Sequence, residues 1–221
     1  MSSMHHPHDE TLARHASGSL GPAASLVVDS HLAHCSTCRA AMNDFEAVGG
    51  TLFECLPAGP APTDGLARAL AAIERGSPRP AAKAPPAVKA SRPPLPKGFA
   101  LPASLDHCDF GRWRWLAPGI RVSNALSPWA KAEGLKLLRI EPGKKLLRHG
   151  HQGAEWTCIL GGSFSDERAR FVKGDFAEVD EDVDHQPIVD GDEECICLIA
   201  SEGRMRPHGL VGRLYQMVFD A

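Results

Sequence analysis

GKKLLRHGHQGAEWTCILGG, residues 143–162, decides how the second half of this chain folds. His149 and His151 are two apart, so on a strand they project from the same face. Gly150 between them lets the backbone pass closely. Glu155 keeps the same parity, although Gln152-Gly153 predicts a turn between them. Three nitrogen and oxygen donors converging inside a barrel suit zinc, iron, manganese or nickel. A His3Glu set needs one more donor, and His185, 30 residues past Glu155 and beyond Gly174, is the residue chosen for it.

Around this stretch the sequence reads as β. Residues 111–116, 135–140, 156–160, 175–179 and 195–200 are predicted strands, punctuated by Glu141-Pro142-Gly143, Gly161-Gly162 and Asp190-Gly191-Asp192. Many short strands without long helical runs predict a sandwich or barrel. Cys195 and Cys197 form C-x-C in an apolar run and would share one strand face. They read either as a redox-sensitive pair beside the metal cup or as small buried core residues, and the core reading is preferred. Trp113, Trp115, Trp129 and Trp156 read as core and rim packing, and no substrate-gripping Arg or Tyr stands out.

A second ligand signature lies upstream, where His31, Cys35 and Cys38 form H-x3-C-x2-C. On one helix these positions share a face; a break at Ser36-Thr37 would instead put both cysteines in a turn between two helices. Either geometry lets two thiolates and an imidazole meet one ion. Zinc wants a fourth ligand for a closed tetrahedral site, and His5, His6, His8 and His15 are on offer. His6 is favoured, because the loop ahead of the first helix can fold back. No thioredoxin-like βαβ pattern surrounds the cysteine pair, which argues against a redox role there.

The same region reads as about four helices. Asp9, Pro22, Ser36 or Thr37, and Thr63 mark their starts. Met42, Phe45, Val48 and Leu52 recur near helical spacing, and Leu66, Leu70 and Ile73 fall at i, i+4 and i+7. Four short helices bury little area alone, so this module needs a metal or a partner to complete its core.

Between the two regions, residues 77–102 contain eight prolines, which predicts an extended linker. The fold is therefore α + β in two domains: a small zinc-stapled helical domain over 1–76, a Pro/Ala/Lys-rich linker over 77–97 and a β-barrel over 98–221. Residues 1–76 carry 4 Lys+Arg against 8 Asp+Glu, a balance that repels phosphate and suits a protein partner with a basic surface. No direct contact with nucleic acid is expected. No run approaches the ~20 apolar residues of a membrane span, and the polar N-terminus lacks a signal-peptide core. A cytoplasmic protein is expected, whose seven cysteines serve as thiols or metal ligands.

Two resemblances attach to these residues. His6, His31, Cys35 and Cys38 match the pattern of zinc-binding anti-sigma domains. The spacing G-x5-H-x-H-x3-E-x6-G, here Gly143, His149, His151, Glu155 and Gly162, resembles the first motif of the cupin superfamily. The second cupin motif is partly kept: Gly174 and His185 fit, whereas Asp180, Asp182 and Val189 replace its usual Pro, Gly and Asn. Together and in this order the two resemble the ChrR-type anti-sigma factors. That resemblance implies a non-enzymatic inhibitor forming a 1:1 complex with an extracytoplasmic-function, sigma-E-type sigma factor. It also implies release of that factor under photooxidative stress, with singlet oxygen the usual signal and the cupin domain as sensor. Met42, Phe45, Val48, Leu52, Leu66 and Leu70 would then contact the sigma factor or build a shared core. Zinc is expected in both sites, with iron, manganese or nickel as further possibilities in the cup. The competing reading is a metal-dependent cupin dioxygenase or isomerase with a helical appendage.

Overall fold

The computed structural model describes residues 4–60, 62–75, 91–203 and 205–207. Met1–Ala47 with Ala90–Ala221 form one compact unit, and Val48–Lys89 form a second. Most of the expected linker at 77–97 lies outside the described residues. Its last part, from Ser91, is tied to the first unit: Phe110 N–H donates to Ser91 O at 2.8 Å, and Trp113 Nε1–H donates to Pro94 O at 2.8 Å.

Four helices open the chain: α1 Asp9–Ala16, α2 Pro22–Leu32, α3 Ser36–Glu54 and α4 Gly65–Glu74. Helix α1 closes where Gly18 takes φ 70°, the left-handed C-terminal cap that glycine adopts without strain. Helix α2 starts on Pro22 and has no side-chain cap of its own. Its Ala23 N–H donates instead to Glu133 Oε2 at 2.7 Å, so a carboxylate distant in sequence sits at the positive end of the helix dipole.

The strands are β1 Arg114–Ala117, β2 Ile120–Asn124, β3 Lys136–Ile140, β4 His149–His151, β5 Glu155–Gly161, β6 Ser163–Ser165, β7 Arg170–Val172, β8 Phe176–Val179, β9 Cys195–Ser201 and β10 Met205–Pro207; a short helix, α5 Pro128–Ala132, separates β2 from β3. Six of them form one antiparallel sheet in the order β1-β2-β3-β9-β5-β8, while β10-β4 and β6-β7 are two-stranded. The closed barrel expected from the cupin resemblance is therefore corrected to a cupin-like open arrangement. Strands of three residues offer few ladder bonds. The segment crossing between the small sheets contains Pro187, which has no N–H to donate. Only isolated bridges join these parts among the described residues, His149 to His185 and Ile188 to both Lys145 and Ser165.

The large sheet is covered on both faces, which explains the unbroken apolar run of β9. Ile196, Leu198 and Ala200 share a layer with Leu137, Trp156 and Phe176 and with Leu12, Val27, Val28 and Met42 of the helices. Cys195, Cys197 and Ile199 point the other way, into a second layer with Leu138, Ile140 and Phe164. The first helices thus share their core with the sheet. The second unit differs: Val48, Leu52, Phe53, Leu66, Leu70 and Ile73 are all exposed.

Candidate metal centres

Helix α2 ends at Leu32 and α3 begins at Ser36, so Cys35 occupies the position just before α3 and Cys38 its first turn. Cys38 N–H donates to Cys35 Sγ at 3.4 Å, a sulfur standing in for the oxygen that usually caps a helix. The turn geometry, not a single continuous helix, is the one the chain adopts. His31 reaches the pair from the last turn of α2: its Nε2 is 3.3 Å from Cys38 Sγ. His6, ahead of α1, folds back so that its Nδ1 lies 3.3 Å from both Cys35 Sγ and Cys38 Sγ.

His6, His31, Cys35 and Cys38 thus bring their four donor atoms within 4.8 Å of one another. Tetrahedral zinc with Zn–S near ~2.3 Å and Zn–N near ~2.0 Å separates its sulfur and nitrogen donors by about 3.5 Å, close to the 3.3 Å at which His6 and His31 stand from the sulfurs. Burial pushes the His31 imidazole down to about 4, which keeps it neutral and able to ligate. Its Nδ1–H donates to Gly174 O at 2.7 Å, which turns the Nε2 lone pair toward the cysteines. Burial, reinforced by the Cys35 sulfur, pushes the Cys38 thiol up to about 12. A cation held there would have to displace that proton, which would couple metal binding to folding.

His149, His151, Glu155 and His185 form the second cluster, all buried and with donor atoms within 4.8 Å of one another. His149 and His151 flank Gly150 on β4, Glu155 opens β5, and His185 pairs with His149 across an isolated bridge. A Cβ at position 150 would meet the carboxylate of Asp184, which would have to swing aside. His185 Nε2 stands 3.2 Å from His149 Nε2 and 3.3 Å from His151 Nε2. His149 Nδ1–H donates to Leu147 O at 2.7 Å and His185 Nδ1–H to Asp166 Oδ2 at 3.1 Å. These Nδ1–H bonds turn the Nε2 atoms of His149 and His185 into the buried space they share with His151 and Glu155. The His3Glu donor set suits zinc, iron, manganese or nickel.

Burial holds His149 down at about 4 and lowers His151 as well, which keeps both as neutral ligands. Burial alone would raise Asp166, but hydrogen bonds from His185 and Arg168 hold its carboxyl well below the usual range. It stays ionised and orients His185. Cys197 lines the cavity that opens on the cup. Cys195 Sγ lies 3.5 Å from Cys197 Sγ, with both buried and unlinked. The Cys195 contact and burial push the Cys197 thiol up, which disfavours the reactive thiolate.

A chain of contacts joins the two clusters. Glu155 precedes Trp156, whose Nε1–H donates to Glu178 Oε1 at 3.1 Å. Glu178 also accepts from Thr11 Oγ1–H at 2.6 Å and from His8 N–H at 3.1 Å. Buried Asp175 takes Met4 N–H at 2.7 Å, and Phe176 N–H donates to His5 O at 3.0 Å. The arm bearing His6 is thus laid along the edge strand β8. Sequence reasoning missed Asp166, Asp175 and Glu178, because nothing near them in the chain marks their role.

The residues proposed for a sigma contact divide. Met42 belongs to the core shared with the sheet and Phe45 packs against it, while Val48, Leu52, Leu66 and Leu70 are exposed. No helix among the described residues is long and apolar enough to cross a membrane.

Comparison with known proteins follows the same layout. Residues 105–204 match the family model of the ChrR cupin-like domain. The crystal structure of Rhodobacter sphaeroides SigE in complex with the anti-sigma ChrR contains a chain that superposes with a TM-score of 0.69 at 30% identity, covering 91% of this chain and 100% of that one. The anti-sigma-E factor ChrR of Cereibacter sphaeroides is 36% identical over 220 residues, 99% of each chain. Identity at that level over the full length, carrying both ligand clusters, means that this chain belongs to the ChrR family of anti-sigma factors.

Proposed function

We propose that this chain captures an extracytoplasmic-function sigma factor of the SigE type in a 1:1 complex in the cytoplasm and releases it when the cup reports a chemical stress. The exposed apolar side chains of Val48, Leu52, Phe53, Leu66, Leu70 and Ile73 carry this reading. Two helices that leave such faces open call for a protein partner. The related ChrR was crystallised with SigE, which supplies the class of partner. Capture needs no contact with nucleic acid.

Zinc is the ion that best suits the S2N2 cluster, where it locks the His6 arm against the α2–α3 turn. The same ion serves the cup, with iron, manganese and nickel as its rivals. Residues 1–76 hold the sigma factor and residues 98–221 sense. Oxidative stress of the singlet-oxygen kind is the signal that the family resemblance suggests. Glu178 passes the change on: a shift of Glu155 moves Trp156, and with it the anchor of Thr11 and His8 beside the first cluster.

The test is a binding titration of the full, zinc-loaded chain against a sigma factor of this class. Leu52→Ser with Leu66→Ser and Leu70→Ser should weaken capture at least a hundredfold while leaving the melting curve unchanged. Undiminished capture would remove the exposed helices from the mechanism. The second reading, a metal-dependent dioxygenase or isomerase, is favoured by the cavity opening on the imidazoles. Oxygen uptake by the iron-loaded chain would support it over the regulator.

A further inference from the structure

The inner face of the large sheet bounds a cavity of about 760 Å³, within the range of pockets that enclose small organic ligands. Its walls are mainly aliphatic and aromatic, including Val122, Leu138, Ile140, Phe164, Val179 and Ile199. The metal cup opens at one end, through His149, Glu155 and His185. Five cations also line it: Arg114, Lys131, Lys136, Lys145 and Arg168.

Lys136 is the informative one. It occupies an inward position of β3, on the face that carries Leu138 and Ile140, and is half-buried. Its cross-strand neighbour is Ile199, and the next position across β9 is Thr157, two residues from Glu155. Its charge reaches His151 of the cup. Among the described residues, no carboxylate forms an ion pair with Lys136, Lys131, Lys145 or Arg114. The cavity's other cation, Arg168, is engaged by Asp166, and its carboxylate, Glu155, faces His151 at 3.8 Å. A half-buried ammonium on an apolar wall, with no carboxylate paired to it among the described residues, is placed to receive an anion that enters the cavity.

We infer that this cavity binds an aliphatic carboxylate, its chain along the apolar wall and its head group on Lys136 beside the metal cup. The cation supplies the head-group contact, and the aliphatic wall excludes strongly hydrated anions such as free phosphate. A neutral chain would leave Lys136 without a counter-charge. The inference concerns the cavity alone and stands apart from capture of a sigma factor.

Calorimetric titration of the full metal-loaded chain with decanoate, and with neutral decanol as its control, tests this. Decanoate should bind at one site, at least tenfold tighter than decanol. Lys136→Met keeps the apolar stem of the side chain and should cost decanoate at least tenfold, with decanol unaffected; Lys136→Arg should retain most of the affinity. If the Met variant fails to fold, the wild-type chain still decides: bound decanoate should protect Lys136 from an amine-modifying reagent, read by peptide mass mapping. The inference is overturned by an absence of binding, by equal affinities for the two probes, or by unchanged labelling of Lys136. It is equally overturned if decanoate affinity vanishes on metal removal yet ignores Lys136→Met, which would place the carboxylate on the ion.

Discussion

Helices α2 and α4 make an instructive pair. The apolar stripe of α4, Leu66, Leu70 and Ile73, has the cleaner spacing, yet those side chains are 75%, 51% and 75% exposed. Val27 and Val28 of α2 are fully buried, although the helix has no sharp stripe at all. The difference is in what lies opposite. Helix α2 packs against β5 and β9 and is apolar nearly all round because it has neighbours on several sides. Helix α4 has one apolar face, and no described residue buries it. Periodicity states that a helix has a face to cover; it does not state what covers it.

Removing the ion is the strongest way to break this contrast. Cys38→Ser should lose the ion of the first cluster and at least a hundredfold in sigma capture, read by metal analysis and by titration. It removes a donor from a site whose apparent contribution in small peptides is ~10–16 kcal/mol. Full capture by that variant would show that the exposed helices need no metal-held arm.

Deletions of apolar side chains sharpen the contrast directly. Leu137→Ala should destabilise the first unit by about 2–5 kcal/mol in denaturant unfolding, since Leu137 is fully buried between helices and sheet. Leu66→Ala should stay within about 0.5 kcal/mol, because an exposed side chain loses little on truncation. The order should invert for sigma capture, where Leu66→Ala weakens binding and the residual effect of Leu137→Ala follows its stability loss. Equal stability losses at the two positions would mean that α4 is covered in the isolated chain.

The smallest effect is the most specific. Glu178→Gln removes the charge that Trp156, Thr11 and His8 share, and should cost about 1–3 kcal/mol in stability. Capture should survive, while release on oxidative challenge becomes slower. Release at the wild-type rate would show that the signal travels by another route.

Three members of each candidate donor cluster were legible in the sequence because local geometry brings them together. Residues two apart on a strand share a face, and cysteines three apart across a helix start converge. His149, His151, Glu155, His31, Cys35 and Cys38 follow from such spacings. The four opening helices start at or within two residues of the expected positions, but Asp9, Ser36, Thr37 and Thr63 do not cap them: the N-cap positions of α1 and α4 are His8 and Asp64, without a side-chain bond, and Cys35 Sγ takes an N–H at the start of α3. The groups that aim those ligands come from distant parts of the chain. Gly174 O on His31, Asp166 on His185, Glu133 at the start of α2 and Glu178 between the clusters carry no mark in their own neighbourhoods. The sequence also suggested a closed barrel, whereas three-residue strands around Pro187 leave the small sheets apart. Short-range spacing determines which atoms can meet one ion. Only the tertiary structure decides which carbonyl or carboxylate holds them there, because any acidic residue or peptide oxygen is chemically fit for that task and placement alone selects among them.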